Sequence, residues 1–261
     1  MILEDIIEST KEELNNEKKR CSIYKLKEKA FNLPIDKSFP LEKALAKDDL
    51  SYILEIKKRT PDKGDLSSTF DYKAIAKEYE MIGASAISVV TESNYYKGDK
   101  DYLTEIKKIV KVPVIRKDFI LDEYMVYESK VLGADAIVLI AGILDEITLM
   151  RCMNLADSLG MSVIVETHNS LQIKKALRVK ARIISVNNRD LRDFSIDLSN
   201  TNKLRELVSD DVIFISEGGI KTREHIEMLE DKKVDGVIIG EIMMKSHDKR
   251  HTFEVLNGNI K

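Results

Sequence analysis

Eight short apolar runs, about 25 residues apart, constrain this chain more than any other feature in it. They are YILEI (52–56), AISVV (86–90), VPVI (112–115), AIVLI (136–140), SVIVE (162–166), IISV (183–186), VIFIS (212–216) and GVIIG (236–240). Each has four or five residues and no polar alternation, the pattern of a strand buried on both faces. Between them lie segments of helical period, such as FDYKAIAKEYEMI, LDEYMVYESKVL, NSLQIKKALRV and TREHIEMLED. The repeat is visible directly: GASAISVV starts at Gly83 and GADAIVLI at Gly133, and RIISVN from Arg182 and DGVIIG from Asp235 continue it. Eight strand–helix units of steady length predict a sheet that closes on itself, an α/β (β/α)8 TIM barrel. The alternative is an open doubly wound sheet, which needs no count of eight and usually shows a glycine-rich first turn. Neither GxGxxG nor GxxxxGK[ST] occurs here, which also weighs against a dinucleotide or P-loop site.

The first ~45 residues differ in character. LEDIIESTKEELNNEKKR and YKLKEKAFNL carry Leu and Ile at helical spacing among many charges, so they read as one or two amphipathic helices ended near Pro34 and Pro40. The expectation is one barrel domain over 1–261, with 1–48 as an N-terminal helical extension. With 43% hydrophobic residues the chain can fill a core, and 42 Lys+Arg against 45 Asp+Glu argue against nucleic acid or a membrane surface as partner. Cys21 and Cys152 form no CxxC pair and fit two free thiols in a reducing compartment. The acidic N-terminus lacks the basic and apolar regions of a signal peptide, and the longest uncharged apolar run, Ala136 to Leu144, is half a membrane span. A soluble cytoplasmic protein is expected. Of the four histidines only His247 and His251 have i, i+4 spacing, within a Lys/Arg-rich tail that reads as solvated surface, so no metal is expected.

In such a barrel the chemistry sits where the strands end. The first run ends in Glu55-Ile56-Lys57, two charges on one face of a strand, and runs on to Thr60. The second ends in Thr91-Glu92, the third in Arg116-Lys117-Asp118-Phe119, the fifth in Glu166, and the sixth in Asn187-Asn188-Arg189. The seventh ends in Glu217-Gly218-Gly219 and the eighth in Gly240-Glu241. Charges mark strand ends in many proteins. Here Glu55, Glu166 and Glu217 would converge with Lys57 and Lys117 at one mouth, where each sign can compensate the other. The glycines after the last two strands leave backbone N–H groups open to a phosphate.

Six blocks carry a resemblance: LEIKKRTPDKG (54–64), GASAISVVTESNYYKGD (83–99), VPVIRKDFILDEYMVYESKVLGADAIVLI (112–140), VIVETHN (163–169), VNNRDLRDFSIDL (186–198) and ISEGGI (215–220). From about Leu41 to Ser246 the chain resembles the indole-3-glycerol phosphate synthase family of tryptophan biosynthesis, and the RKDFI and NNRDL blocks are the most specific. The resemblance implies a carboxy-lyase acting on 1-(2-carboxyphenylamino)-1-deoxyribulose 5-phosphate without a cofactor. It implies Lys117 as the main general acid, Glu166 as acid/base, and Lys57 as contact to the substrate carboxylate and second acid. Glu55 would orient Lys57, and Asn187 would hydrogen-bond the substrate. Glu217 matches the glutamate ending strand seven, Arg189 an arginine near the carboxyphenyl group, and Phe119 the aromatic packed on the anthranilate ring. Thr60, Gly219 and Gly240 match phosphate-binding positions. Gly218 stands where the family usually has serine, and Glu241 where serine commonly follows the glycine. A carboxylate facing a phosphate would repel it, so Glu241 is expected to point away and offer only its backbone N–H. By the same resemblance the N-terminal helices pack over the barrel mouth.

Two other readings differ in class. Another phosphate-sugar barrel lyase or isomerase, such as phosphoribosylanthranilate isomerase, would use an early cysteine with a later aspartate, and no cysteine ends the first strand. A barrel kept only for binding or assembly would have lost Lys57, Lys117 or Glu166, and all three are present. The expected partner is a small phosphorylated substrate, and the expected state a monomer or weak homodimer.

Overall fold

The computed structural model describes residues 2–47, 49–190 and 192–260. Eight parallel strands close into a barrel: β1 (Ser51–Ile56), β2 (Ala86–Val90), β3 (Val114–Lys117), β4 (Ala136–Ile140), β5 (Ser162–Thr167), β6 (Ile183–Asn187), β7 (Ile213–Glu217) and β8 (Gly236–Ile239). Neighbours pair in chain order, and β1 pairs with both β2 and β8 to close the ring. The fold is therefore the expected (β/α)8 barrel, and each of the eight expected runs contributes one strand. β3 begins two residues later than its run because Pro113 has no N–H to give to a ladder.

Three helices precede the barrel, α1 (Ile2–Arg20), α2 (Ile23–Phe31) and α3 (Pro40–Leu45). The helices that follow the first four strands are α4 (Tyr72–Ile82), α5 (Lys100–Lys107), α6 (Glu123–Leu132) and α7 (Glu146–Ser158). After β5, β6 and β7 come α8 (Ser170–Arg178), α9 (Ser199–Arg205) and α10 (Arg223–Asp231), and β8 leads into α11 (Glu241–Lys245) and α12 (Lys249–Leu256). Gly83 and Gly133, the glycines that open the repeated sequence, end α4 and α6 at φ 105° and 92°. That left-handed turn favours a residue without Cβ, and it sends the chain straight into the next strand.

Side chains alternate in and out along each strand. Ile53, Ile115, Ile164, Ile183 and Ile215 point inward and form one buried layer, together with Ala86, Ala136, Val138 and Ile238. The intervening residues, Leu54, Val114, Val163, Val165 and Phe214 among them, face the helices in a second cluster. Two positions beyond the inward isoleucines come Glu55, Lys117, Glu166, Ser185 and Glu217, so the next layer toward the strand ends is polar.

The helices before the barrel divide their tasks, which corrects the expectation that they cover the mouth together. Only α1 lies there, with Ile6 packed on Phe119 and Ile140. α2 runs along α6, where the Phe31 and Tyr127 rings are 6.1 Å apart. α3 plugs the opposite end: Leu41 and Leu45 join the inward isoleucine layer, and the Ala44 carbonyl accepts from Ser51 Oγ. Pro40 was expected to stop a helix and instead starts α3, at a first-turn position where its missing N–H has no helical partner to lose. The end points of the expected division, Met1, Asp48 and Lys261, lie outside the described residues. Among the described residues no helix is long and apolar enough to cross a membrane.

Candidate active site

A cavity of about 980 Å3, measured out to its opening, occupies the end of the barrel where the strands finish. All thirteen residues singled out in the sequence line it. β1 supplies Glu55 and, just beyond its end, Lys57 and Thr60; β3 supplies Lys117 and then Phe119. Glu166 comes from β5, and Asn187 and Arg189 from the end of β6. Glu217, Gly218 and Gly219 come from the end of β7, and Gly240 and Glu241 from the turn after β8. Glu55, Glu166 and Glu217 are almost fully buried.

The charges are paired in a definite way. Lys117 Nζ sits between two carboxylates, 2.7 Å from Glu166 Oε2 and in contact with Glu217 Oε2. Asn187 Nδ2 donates to Glu166 Oε1 at 3.0 Å, and Ser185 Oγ donates to Glu217 Oε1 at 2.9 Å. Lys57 Nζ holds Glu55 Oε1 at 2.5 Å. Three carboxylates therefore share two ammonium groups, and one negative charge is in excess. Burial pushes all three carboxyls up, but Lys57 and Lys117 outweigh it at Glu55, and Lys117 with His168 outweighs it at Glu166, so both stay below the usual range. Glu217 is the odd one: burial and the Glu166 charge beside it push it up to about 7 despite Lys117. Burial works against the Lys117 ammonium, yet Glu166, Glu217 and Glu55 together hold it above the ordinary lysine range.

This assignment has a pH consequence. The unfolded chain ionises Glu217 near the ordinary carboxyl value, whereas the folded chain keeps the proton to about 7. Between those values the folded state binds more protons, so this contribution to stability falls as pH rises, and the cost is complete above the folded value. Glu217→Gln removes the cost. Relative to the parent, E217Q is expected to gain stability between pH 5 and pH 8 by on the order of 2 kcal/mol, read by urea unfolding at both pH values. A difference that stays flat, or moves the other way, would mean that another group carries the extra proton.

The apolar side of the cavity is built from Phe119, Tyr96, Ile140 and Val90. The Tyr96 and Phe119 rings stand 6.2 Å apart at 39°, a wall suited to an aromatic ligand. Tyr96 was not singled out in the sequence. The signal lay in the loop after β2, where the Glu92 carboxylate accepts the backbone N–H groups of Asn94, Tyr95 and Tyr96 and so fixes that ring's approach. Thr60 Oγ1 is buried in the lining with no partner among the described residues.

The glycine turns are tight. Gly218 and Gly219 have φ 83° and 80°, and a Cβ on Gly218 would lie 2.6 Å from Asn187 Oδ1. At Gly240 a Cβ would lie 2.7 Å from Glu55 Oε1, so the bare backbone there makes room for the carboxylate. Glu241 is among the residues at the cavity, in the turn after β8. Lys63 at 2.7 Å, Lys245 at 2.9 Å and Arg189 at 3.1 Å surround its carboxylate. Burial raises it, but Lys63 and Lys245 bring it down to about 2, so its charge is compensated rather than aimed at a ligand. Arg189 also binds Asp62 at 2.9 Å, which holds its guanidinium on the side of the mouth near the turn after β8. Among the described residues, no group of three or more His, Cys, Asp or Glu is arranged to hold a metal ion.

Comparison with known proteins gives one consistent result. A family model described as indole-3-glycerol phosphate synthase matches residues 3–256. An indole-3-glycerol phosphate synthase of Leuconostoc mesenteroides is 45% identical over 260 residues, covering 99% of each chain. One from Endomicrobium trichonymphae is 49% identical over 247 residues, covering 94% of this chain and 95% of its own. Among solved structures, 3-hexulose-6-phosphate synthase from Salmonella typhimurium aligns with a TM-score of 0.66 at 14% identity, over 80% of this chain and 97% of that one. KGPDC from Streptococcus mutans aligns at 0.63 and 11%, over 80% and 96%. At such identities these two share the barrel fold alone.

Proposed function

The chain belongs to the indole-3-glycerol phosphate synthase family, and from that premise we propose how its own residues perform the reaction. The enzyme is a carboxy-lyase of tryptophan biosynthesis, converting 1-(2-carboxyphenylamino)-1-deoxyribulose 5-phosphate to indole-3-glycerol phosphate, carbon dioxide and water. The observation that carries the residue assignment is the Lys117 ammonium held between Glu166 and Glu217 at the floor of the cavity.

Ring closure needs an aromatic carbon to attack a ketone carbon, which builds negative charge on the ketone oxygen. Lys117, kept charged by its carboxylate neighbours, meets that charge and delivers the proton. Lys57, oriented by Glu55, contacts the substrate carboxylate that leaves as carbon dioxide and serves as second acid. Dehydration then needs one group to remove a proton and one to protonate the departing hydroxyl. Glu166 is the base, steadied by Asn187 through its Oε1. The anthranilate ring lies along Phe119 and Tyr96. The phosphate is received by the Thr60 hydroxyl and the backbone at Gly218, Gly219, Gly240 and Glu241, and Arg189 serves the carboxyphenyl group. This reading takes the whole chain as one barrel domain, with residues 1–48 as its extension. It also takes the enzyme as a cytoplasmic monomer or weak homodimer that engages a small phosphorylated substrate and no nucleic acid, which the net charge of -3 supports.

The direct test mixes the purified full chain with the carboxyphenylamino-deoxyribulose phosphate, adding neither metal nor cofactor. Indole fluorescence is expected to grow until substrate is consumed. Unchanged substrate, under conditions where a known synthase turns it over, would remove the assignment.

A further inference from the structure

The loop that leaves β1 reaches past its neighbour β8 as far as the end of β6, and charge fastens it there. We propose that Asp62, Lys63 and Glu241 are positioning residues for the phosphate end of the site: with Arg189 they form a clasp that holds the loop tip in place, so that the Thr60 hydroxyl meets a phosphate monoester. The proposal rests on the reading of Thr60 and the glycine turns as that end, and deepens it.

The loop is a short hairpin. Arg59 pairs with Asp65 and Thr60 with Gly64, which leaves Pro61, Asp62 and Lys63 as its tip. The base is anchored, because Leu66 is buried in the core and its N–H donates to the Lys58 carbonyl at 2.9 Å. None of the three tip residues is buried.

What holds the tip is a circuit of alternating charge. Arg189 Nη1 donates to Asp62 Oδ2 at 2.9 Å, Arg189 Nη2 donates to Glu241 Oε2 at 3.1 Å, and Lys63 Nζ donates to Glu241 Oε1 at 2.7 Å. Adjacent residues of opposite sign, Asp62 and Lys63, thus grip partners of opposite sign. Arg189 stands at the end of β6 and Glu241 just past β8, so the tip is tied to two other strands. A lone surface ion pair holds little, but these four groups form a network whose side chains are only 16 to 33% exposed. Lys245, 2.9 Å from Glu241, adds a third cation to that carboxylate.

The clasp has something to hold. Thr60 is 5% exposed and lines the cavity, and its Oγ1 has no hydrogen-bond partner among the described residues, so a buried hydroxyl stands ready for a ligand atom. Asp62, Arg189 and Glu241 also line the cavity, whereas Lys63 does not, so Lys63 acts on the site through Glu241. Arg189 gives one N–H from each Nη to the clasp and keeps others for the carboxyphenyl group. Lys57 precedes the anchored base and is paired with Glu55, so opening the tip leaves that acid where it is.

A clasp and a plain charge effect differ in sign. Asp62 is an anion at the end that takes a phosphate dianion, so by Coulomb's law alone its removal tightens phosphate binding. If Asp62 holds the tip, its removal weakens that binding instead.

The test uses the full chain as Asp62→Asn, Lys63→Met, Lys63→Arg and the D62N/K63M double variant, with thermal unfolding as the control for folding. Inorganic phosphate is the probe, followed by titration calorimetry and as a competitive inhibitor of indole formation. With the tip in place about a tenth of the time, phosphate binding and KM are each expected to weaken about ten-fold in D62N and in K63M, with kcat within about two-fold of the parent. K63R is expected to match the parent, and the double variant to be no weaker than either single one, because the tip is already free. Tighter phosphate binding in D62N, or a double variant restored to parental binding, would overturn the clasp in favour of the bare charge effect. Parental binding in both single variants would overturn it as well. A parent whose phosphate binding depends on Asp62 and Lys63 in this way, but which makes no indole product, would overturn the synthase reading and leave the clasp standing.

Discussion

Lys117→Ala is expected to lower kcat for indole formation by at least about 10³-fold, because it removes both the proton donor and the fixed positive charge at the ketone oxygen. The fluorescence assay reads this directly, and a rate near that of the parent would withdraw Lys117 from its role. The fold should survive the change. Asn187 and Ser185 still hydrogen-bond the two carboxyl groups, and Lys57 still covers Glu55. Stability, however, should acquire a steeper pH dependence. Glu166 and Glu217 lose the ammonium between them, so the Glu166 carboxyl rises above its unfolded value in the folded state and Glu217, already raised, rises further. Groups raised in this way contribute fully at low pH and become costly as pH climbs through the folded value. The urea midpoint of K117A should therefore fall more between pH 5 and pH 8 than that of the parent.

The largest loss of stability is expected one residue away. Arg116 has no exposed surface at all, and its guanidinium meets Asp118 at 3.0 Å and Glu128 at 2.8 Å. It also donates to Ser129 Oγ at 3.1 Å and to Thr91 Oγ1 at 3.2 Å. Arg116→Met should cost about 3–5 kcal/mol in urea unfolding, because buried Asp118 would lose the guanidinium and Glu128 would keep only Lys100, 2.9 Å away, among the described residues. Neutralising those partners, as in R116M/D118N/E128Q, should recover part of the loss. A loss below about 1 kcal/mol for R116M alone would mean that the guanidinium is not what balances those carboxylates.

Adjacent residues with such different tasks show what the sequence could and could not convey. Period-two alternation sends Lys117 into the barrel and Arg116 out among the helices, so RK reads in one dimension as a single basic strand end. The inward isoleucines and the polar residues two positions later were legible, because both follow from that same period. The pairing of Lys117 with Glu166 and Glu217 joins residues 49 and 100 positions apart, and only closure of the ring brings them together. Pro40 misled because proline ends one helix and begins another with the same ring. The partners of Glu241 were not legible, because the cations that neutralise it come from Lys63 and Arg189, far away along the chain, and from Lys245 one helical turn later. Tyr96 was hidden in a loop whose shape is set by hydrogen bonds to Glu92, a contact no periodicity reports.

The placement of α1 carries a consequence for biosynthesis. Its apolar face rests on Tyr95, Tyr96, Phe119, Ile140 and Ile143, and its Glu17 and Lys18 pair with Lys100 and Asp122. A ribosome delivers this helix before any of its docking surface. Until the segment around Ile143 has emerged, Ile2, Leu3 and Ile6 have nowhere to go. The nascent chain must therefore carry this apolar helix face uncovered while the roughly one hundred residues between α1 and its docking surface are being made.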